Sequence, residues 1–324
     1  MFDEFVFGPN LSENDGRAFD TFVDDAALAH YSQTRAWAPV GVAGRPMIPW
    51  FFLQRRGDVV CAAAVVRRVR GLGPIYLPSA SIERGPVVAR AAALSDALVS
   101  LRRATLRAGI LRLSCMPYVH DACIPEAENV LRRQGFRLTQ AFDGAHARTL
   151  RLRLGEGHPL SKNVSAKARR AAREGATTRV ATRADMPTVA HLHGNMMDAQ
   201  NKSGAALSYF ETLWTQILCD GTRGQLFLCE AGGQLLSFAF IAKHGAMATY
   251  VMGASSQDYT QYNKMLPAMN AGIAWAEHVG CTWFDLGGIP MDGDEDPKRV
   301  SIAAFKRLYV KDHVDLLGEH TRWF

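Results

Sequence analysis

A chain of 324 residues, 48% hydrophobic and with a net charge of +6, carries enough apolar mass for two cores and too little net charge to stay unfolded. It has no uninterrupted apolar run of about eighteen residues, which excludes a spanning helix, and its acidic start, MFDEFVFGPNLSENDG, lacks the basic segment of a signal peptide. Six cysteines, at 61, 115, 123, 219, 229 and 281, show no ligand-like spacing, so a cytoplasmic protein with free thiols and no metal is expected.

In chain order, residues 17–43 read as a helix and turn, followed by strands over Trp50–Leu53 and Val59–Arg70. A Gly71–Pro74 turn leads to a short strand at Ile75–Leu77, then a loop over Pro78–Pro86 and a helix over Val87–Ala108. Ile110–Cys115 reads as a strand, Glu126–Gln134 as a helix closed by Gly135, and Phe136–Leu138 as the start of another strand. A second pass begins near Leu160. Its first helix, Ser161–Glu174, is basic and ends at Gly175, a residue suited to the position just past a helix. A strand over 176–180 and a helix opened by Asp185-Met186-Pro187 follow, then a helix over Tyr209–Leu218. Strands Gln225–Glu230 and Leu235–Lys243 form a hairpin over Gly232-Gly233, and Thr249–Met252 is a third strand. A polar loop, Ser255–Lys264, precedes the helix Met265–Val279 and the strand Thr282–Leu286. After Gly287-Gly288 and the acidic loop Asp292–Asp296, a last helix carries Phe305 and Lys306 side by side. Both halves thus run strand, strand, loop, helix, strand, helix, an internal repeat of architecture with little identity between copies.

The charge is unevenly placed. Leu131–Arg183 holds 13 Lys and Arg against 3 Asp and Glu, an excess of +10 in a chain of net +6, so the remainder sums to −4. Such a segment fits a polyanionic partner, RNA or a phosphorylated substrate, or simply a solvated helix face. His191 and His193, in HLHGNMMD, have no third ligand in sight and read as two exposed helix histidines.

The strand–loop–helix–strand core of each half resembles the GNAT acyltransferase fold, in which two parallel strands splay apart to admit the acyl donor. Two such domains in tandem resemble the FemABX family, whose members move an amino acid from aminoacyl-tRNA onto an amine. The matching segments appear in order: SQTRAW (Ser32–Trp37), the R-G-P of Arg84–Pro86, KNVSAKARRAAREGATTRV, YVMGASSQDYTQYNKMLPAMNAGIAWAEHVGCTWFDLGG, and the final F-K pair. The family's coiled-coil arm has no counterpart here. The expected fold is therefore α/β with mixed sheets, as two tandem GNAT-like domains. The first covers 1–155 on the acceptor side, with 312–324 as a candidate to complete it; the second covers 156–311 on the donor side.

The resemblance implies site residues. Lys306 would stabilise negative charge on the tetrahedral oxyanion or on the tRNA terminus, and Phe305 would pack against the terminal adenosine. Lys167, Arg169, Arg170 and Arg173 would meet RNA phosphates, with Tyr262 and Lys264 (and Tyr259) on the loop entering the next helix. Trp37, Tyr118 and Asp285 are acceptor-side candidates, although Asp285 also fits a residue that bonds backbone amides to hold a bulge. In acetyl-CoA-dependent GNAT proteins the donor loop is glycine-rich and its amides cradle the pyrophosphate. Here it reads QDYTQYNK, without glycine, and SASIERGPV in the first half lacks the pattern too, so no cofactor is expected. Three departures concern the acceptor. Gly41 stands near the place of a basic residue that helps hold a UDP-sugar peptide, Lys202 is the nearest cation to an expected arginine, and Met116-Pro117-Tyr118 replaces D-P-Y. The implied partners are aminoacyl-tRNA as donor and an amine on a UDP-linked peptide or a small natural-product molecule as acceptor, with no DNA and no transmembrane segment. An acyl-CoA-dependent N-acyltransferase and a non-catalytic RNA- or anion-binding module are the alternatives.

Overall fold

The computed structural model describes residues 4–27, 29–41, 47–69, 78–139, 147–155, 162–259 and 263–324. The Gly71–Pro74 turn, the Ile75–Leu77 strand and Tyr262 fall outside them. The chain divides into two compact units, Met1–Ala147 with Val314–Phe324, and Arg148–His313. No helix among the described residues is long and apolar enough to cross a membrane.

The first unit opens with strand β1 (Glu4–Gly8) and helix α1 (Glu13–Asp25), whose N-cap Ser12 accepts from the Asp15 amide. Strands β2 (Met47–Arg56) and β3 (Val59–Val69) pair antiparallel. Their alternation feeds two cores: Ala62, Ala64 and Val66 face one side, Ala63 and Val65 the other. Next comes strand β4 (Ser79–Ile82), in a stretch that reads as loop. Its serines suggest a turn, yet Ala80 and Ile82 are buried and the strand runs antiparallel to β3 and parallel to β6 (Arg112–Cys115). Val87-Val88 (β5) also pairs with β3, so helix α2 (Leu94–Arg107) starts later than the sequence implies. The β-branched pair prefers the ladder to a helix. Helix α3 (Ile124–Arg133), strand β7 (Arg137–Leu138) and the last strand of the chain, β15 (His320–Trp323), complete the unit. The sheet order is β1-β2-β3-β4-β6-β15-β7, with the C-terminal strand seated between β6 and β7.

The second unit begins with β8 (Arg148–Arg153), a strand absent from the elements expected above. RTLRLR alternates as a strand should, burying Leu150 and Leu152. Helix α4 (Lys162–Arg173), strand β9 (Thr177–Val180) and helix α5 (Met186–Asp198) follow. Helix α6 (Leu207–Leu213) widens into a π-helical turn over Trp214–Leu218. Strands β10 (Gly224–Ala231) and β11 (Gln234–His244) join through Gly232-Gly233, both at positive φ as a two-residue hairpin turn requires. Strand β12 (Met247–Ser255), helix α7 (Met265–His278) and strand β13 (Trp283–Ile289) form the parallel crossover. Helix α8 (Pro297–Lys306) starts at Asp296, whose carboxylate accepts from the Lys298 and Arg299 amides. The sheet order is β8-β13-β12-β11-β10-β9, edged beyond β8 by β14 (His313–Asp315), where the chain leaves the unit. Phe238, Phe240 and Phe284 are fully buried in this unit, each contributing roughly 2–3 kcal/mol of apolar burial. Both units share the strand–helix–strand core with a parallel pair at its centre, so the architecture is a tandem of GNAT-like α/β units.

Candidate active site

Strands β12 and β13 pair only at Met247, Ala248 and Thr249 against Trp283, Phe284 and Asp285, although both continue for several residues. Beyond that point β12 stays with β11, and β13 stays with β8, so the two parallel strands part. Lys306 occupies the gap. Its Nζ donates to the Gly288 carbonyl at 2.7 Å and lies 5.9 Å from the ring centre of Tyr250. The residue is 6% exposed, and burial pushes its pKa down to about 8, with Asp285 acting in the opposite direction. Gly287, at φ +79, makes the close approach possible: a Cβ there would lie 3.0 Å from the Tyr250 carbonyl oxygen and 3.4 Å from the Lys306 Nζ.

Asp285 is buried and accepts from the Thr149 hydroxyl, from the Gly287 amide at 2.7 Å and from Arg151 Nε at 3.3 Å. The β13–β8 register shifts between Asp285 and Gly288, within this bonded stretch. Near the end of α8, Phe305 packs edge-on against Tyr309 at 5.9 Å, and the Tyr309 hydroxyl donates to Asn270 Oδ1 at 2.9 Å.

Beside the gap lies an open cleft of about 470 Å³ lined by Lys167, Ser255, Asn263, Lys264, Phe305 and Leu308 among others. It sits at the N-terminal end of α7, where backbone amides and the helix dipole favour anions. Lys264 holds the entering loop together: its Nζ donates to the carbonyls of Ser256 (2.7 Å) and Asp258, and its own carbonyl accepts from Ser237 Oγ at 2.7 Å. Burial of this amine lowers its pKa. The pocket beside the first unit's parallel pair is different. It is small, about 50 Å³, and among the described residues its lining (Pro86, Leu94, Pro117, Tyr118, Ala127 and Val130 included) holds no cation.

Residues 160–307 match the acetyltransferase (GNAT) domain family. A stretch of 106 residues is 31% identical to the UDP-N-acetylmuramoylpentapeptide-lysine N(6)-alanyltransferase of Weissella viridescens, covering 33% of this chain and 30% of that protein. A stretch of 90 residues is 31% identical to the lipid II:glycine glycyltransferase of Staphylococcus epidermidis, covering 28% of this chain and 22% of the relative. Over these stretches the chain is homologous to the two transferases. Its fold is that of FemX, with a TM-score of 0.82 at 17% identity over 99% of this chain and 97% of that one. The matched stretches span less than a third of either curated relative.

The GNAT match contains Lys167, Lys264, Phe305 and Lys306, which the fold gathers around one gap and one cleft. Arg169, Arg170 and Arg173 are exposed on α4 and do not line the cleft; Arg170 is tied to Glu174 at 2.7 Å. The basic segment is not one surface. Arg148 pairs with Asp292, Arg151 with Asp285, and Arg179 with both Asp185 and Glu230. Trp37 and Tyr118 belong to the first unit and Asp285 to the second. Trp37 is buried edge-on against Tyr31 at 4.7 Å, and Tyr118 packs on His30 under the Arg84 guanidinium. Gln33, from the SQTRAW segment, ties loop to strand, accepting from the Val65 amide at 2.8 Å and donating to the Glu83 carbonyl at 2.5 Å. His193 is not exposed, contrary to the expectation from sequence. It is buried against Phe210, its Nδ1 accepts from the Ala205 amide at 3.1 Å, and burial lowers its pKa; His191 is exposed and bonds Asn195. Sequence reasoning singles out neither Tyr250, Tyr309, Asn270 nor the Gly288 carbonyl. Tyr250 and Gly288 carry a signal, as the first and last residues of the YVMGAS…FDLGG segment.

Proposed function

We propose that this chain is an aminoacyltransferase that moves an amino acid from aminoacyl-tRNA to an amine and forms an amide bond. The observation that carries the reading is the Lys306 ammonium held in the gap between β12 and β13, next to a cleft flanked by Lys167, Lys264 and Phe305. In the reaction the acceptor nitrogen attacks the ester carbonyl carbon. The C–N bond forms, the ester C–O bond breaks, the nitrogen gives up a proton and the ribose hydroxyl leaves with one. Lys306 stabilises the negative charge that develops on oxygen, in a site where burial strengthens the interaction. Phe305 offers an apolar face to the terminal adenosine, and Lys167 meets phosphate.

The acceptor is an amine of a peptidoglycan precursor, a UDP-linked peptide among them, or of a small natural-product molecule. The Weissella and Staphylococcus relatives, named for a muramoylpentapeptide lysine and for lipid II, support the first. Gly41 and Met116 in place of the expected polar residues keep the second in view. The setting is the cytoplasm, where charged tRNA is made.

Titration of tryptophan fluorescence with bulk tRNA and with acetyl-CoA, at two salt concentrations, tests the donor. Binding of tRNA that weakens steeply with salt supports the reading. Tight binding of acetyl-CoA without a tRNA signal would move the protein to the CoA-dependent N-acyltransferases. RNA binding with no transfer onto any amine would leave an RNA-binding module.

A further inference from the structure

Asp285 stands three residues before Gly288, whose carbonyl holds Lys306, and the ladder between them is irregular. Asp285 pairs across to Arg151 and Gly288 to Thr149, so β13 carries one residue more than β8 over this interval. An extra residue interrupts the two-residue alternation of a strand and re-aims the groups that follow. The Gly287 amide is taken up by the Asp285 carboxylate at 2.7 Å, with Gly287 itself at φ +79. Two groups from β8, the Thr149 hydroxyl and Arg151 Nε, hold the same carboxylate from the other strand. Asp285 is 5% exposed and meets three donors, so little of its carboxylate is open to a substrate amine.

We propose that Asp285 is a positioning residue: it locks the Gly287-Gly288 bulge so that the Gly288 carbonyl fixes the Lys306 ammonium in the gap between β12 and β13. The proposal rests on the reading of Lys306 as the group that meets the transferred ester. It also gives β8 a part in the site, since Thr149 and Arg151 set the carboxylate. The alternative role for Asp285, contact with the acceptor, requires the acceptor nitrogen to reach a carboxylate that is 5% exposed.

Competitive acetylation of the folded protein with acetic anhydride, read lysine by lysine by mass spectrometry, reports on Lys306 without any substrate. Asp285→Ala should raise Lys306 labelling at least tenfold while Lys167 and Lys264 stay within twofold. Asp285→Asn keeps an oxygen for the Gly287 amide and should largely restore the wild-type value. In transfer assays the alanine variant should lose kcat with KM retained, and the asparagine variant should recover most of it. If the alanine variant fails to fold, Thr149→Val removes one donor and should raise labelling at Lys306 alone by a smaller factor. Unchanged Lys306 labelling in Asp285→Ala, or in Thr149→Val where that variant stands in, overturns the proposal. So does a uniform rise at all three lysines, or a loss expressed in KM in both Asp285 variants. Selective exposure of Lys306 in a protein whose wild type transfers no aminoacyl group supports the positioning and overturns only the functional reading.

Discussion

Lys306 and Tyr250 face each other next to Gly287, the ammonium 5.9 Å from the centre of the phenol ring, in the space where β12 and β13 cease to pair. The parting strands supply the walls of that space, and the proposed function gives the ammonium its part in the chemistry. Replacing Lys306 by methionine keeps an unbranched side chain and removes the charge. Turnover should fall about 10²–10³-fold, the usual cost of deleting a transition-state charge partner. Affinity for tRNA should stay within twofold by fluorescence titration, because Lys306 is not among the residues lining the cleft. Parallel loss of binding and turnover would show instead that Lys306 acts on the ground state.

The same burial gives a pH dependence with a definite sign. Burial pushes the Lys306 pKa from 10.5 down to about 8, so the ammonium is complete well below that pH and is lost above it. The rate of the chemical step should fall as pH rises through about 8, and Lys306→Arg, which stays charged, should remove that fall even if it is slower. Stability moves the other way. Between pH about 8 and 10.5 the unfolded chain binds more protons at this residue than the folded one, so wild-type stability should rise across that window relative to Lys306→Met. Below pH 8 the burial penalty is fully present. Its upper size is about 3 kcal/mol, since each tenfold change in proton affinity is worth about 1.4 kcal/mol. Denaturant titrations of both proteins at pH 7 and pH 10 measure it.

Gly287 is held by conformation and by space at once. Alanine at φ +79 is strained, and its Cβ would press on the Tyr250 carbonyl at 3.0 Å, a backbone atom that cannot swing aside. Gly287→Ala should cost about 1–3 kcal/mol in denaturant unfolding. Gly233→Ala, also at positive φ but with open space around its Cβ, should cost less. Equal losses would mean that the contact with Tyr250 is not felt.

Much of this fold is legible in sequence because its signals are local. The repeated strand–helix–strand order, the Gly232-Gly233 hairpin and the Phe305-Lys306 pair depend on neighbours in sequence. What escapes depends on distant chain. The Ser-Ala-Ser-Ile stretch reads as loop until β3 and β6 claim it from either side. The arginines of β8 read as part of a basic surface, yet Arg151 turns inward to Asp285, 134 residues away. His193 reads as exposed because its helix is weakly patterned, and only the Ala205 amide and Phe210 reveal its buried setting. The site follows the same division. Its lysine is visible in sequence, whereas the carbonyl that holds it arises from a bulge that requires a second strand.

Lys167 offers a test of how nucleic acid would meet this surface. It lines the cleft beside Phe305, whereas Arg169 and Arg173 are exposed outside it and Arg170 is engaged by Glu174. Each phosphate contact contributes about 0.7 to the slope of log affinity against log salt for single-stranded nucleic acid. Lys167→Ala should therefore lower the slope for tRNA by about that amount and weaken binding several-fold at low salt. Arg170→Ala should change the slope less, since its charge is already offset by a neighbouring carboxylate at 2.7 Å. A slope that drops for Arg169→Ala and Arg173→Ala but not for Lys167→Ala would place the RNA path over the outer face of α4 and leave the cleft to the aminoacyl end alone.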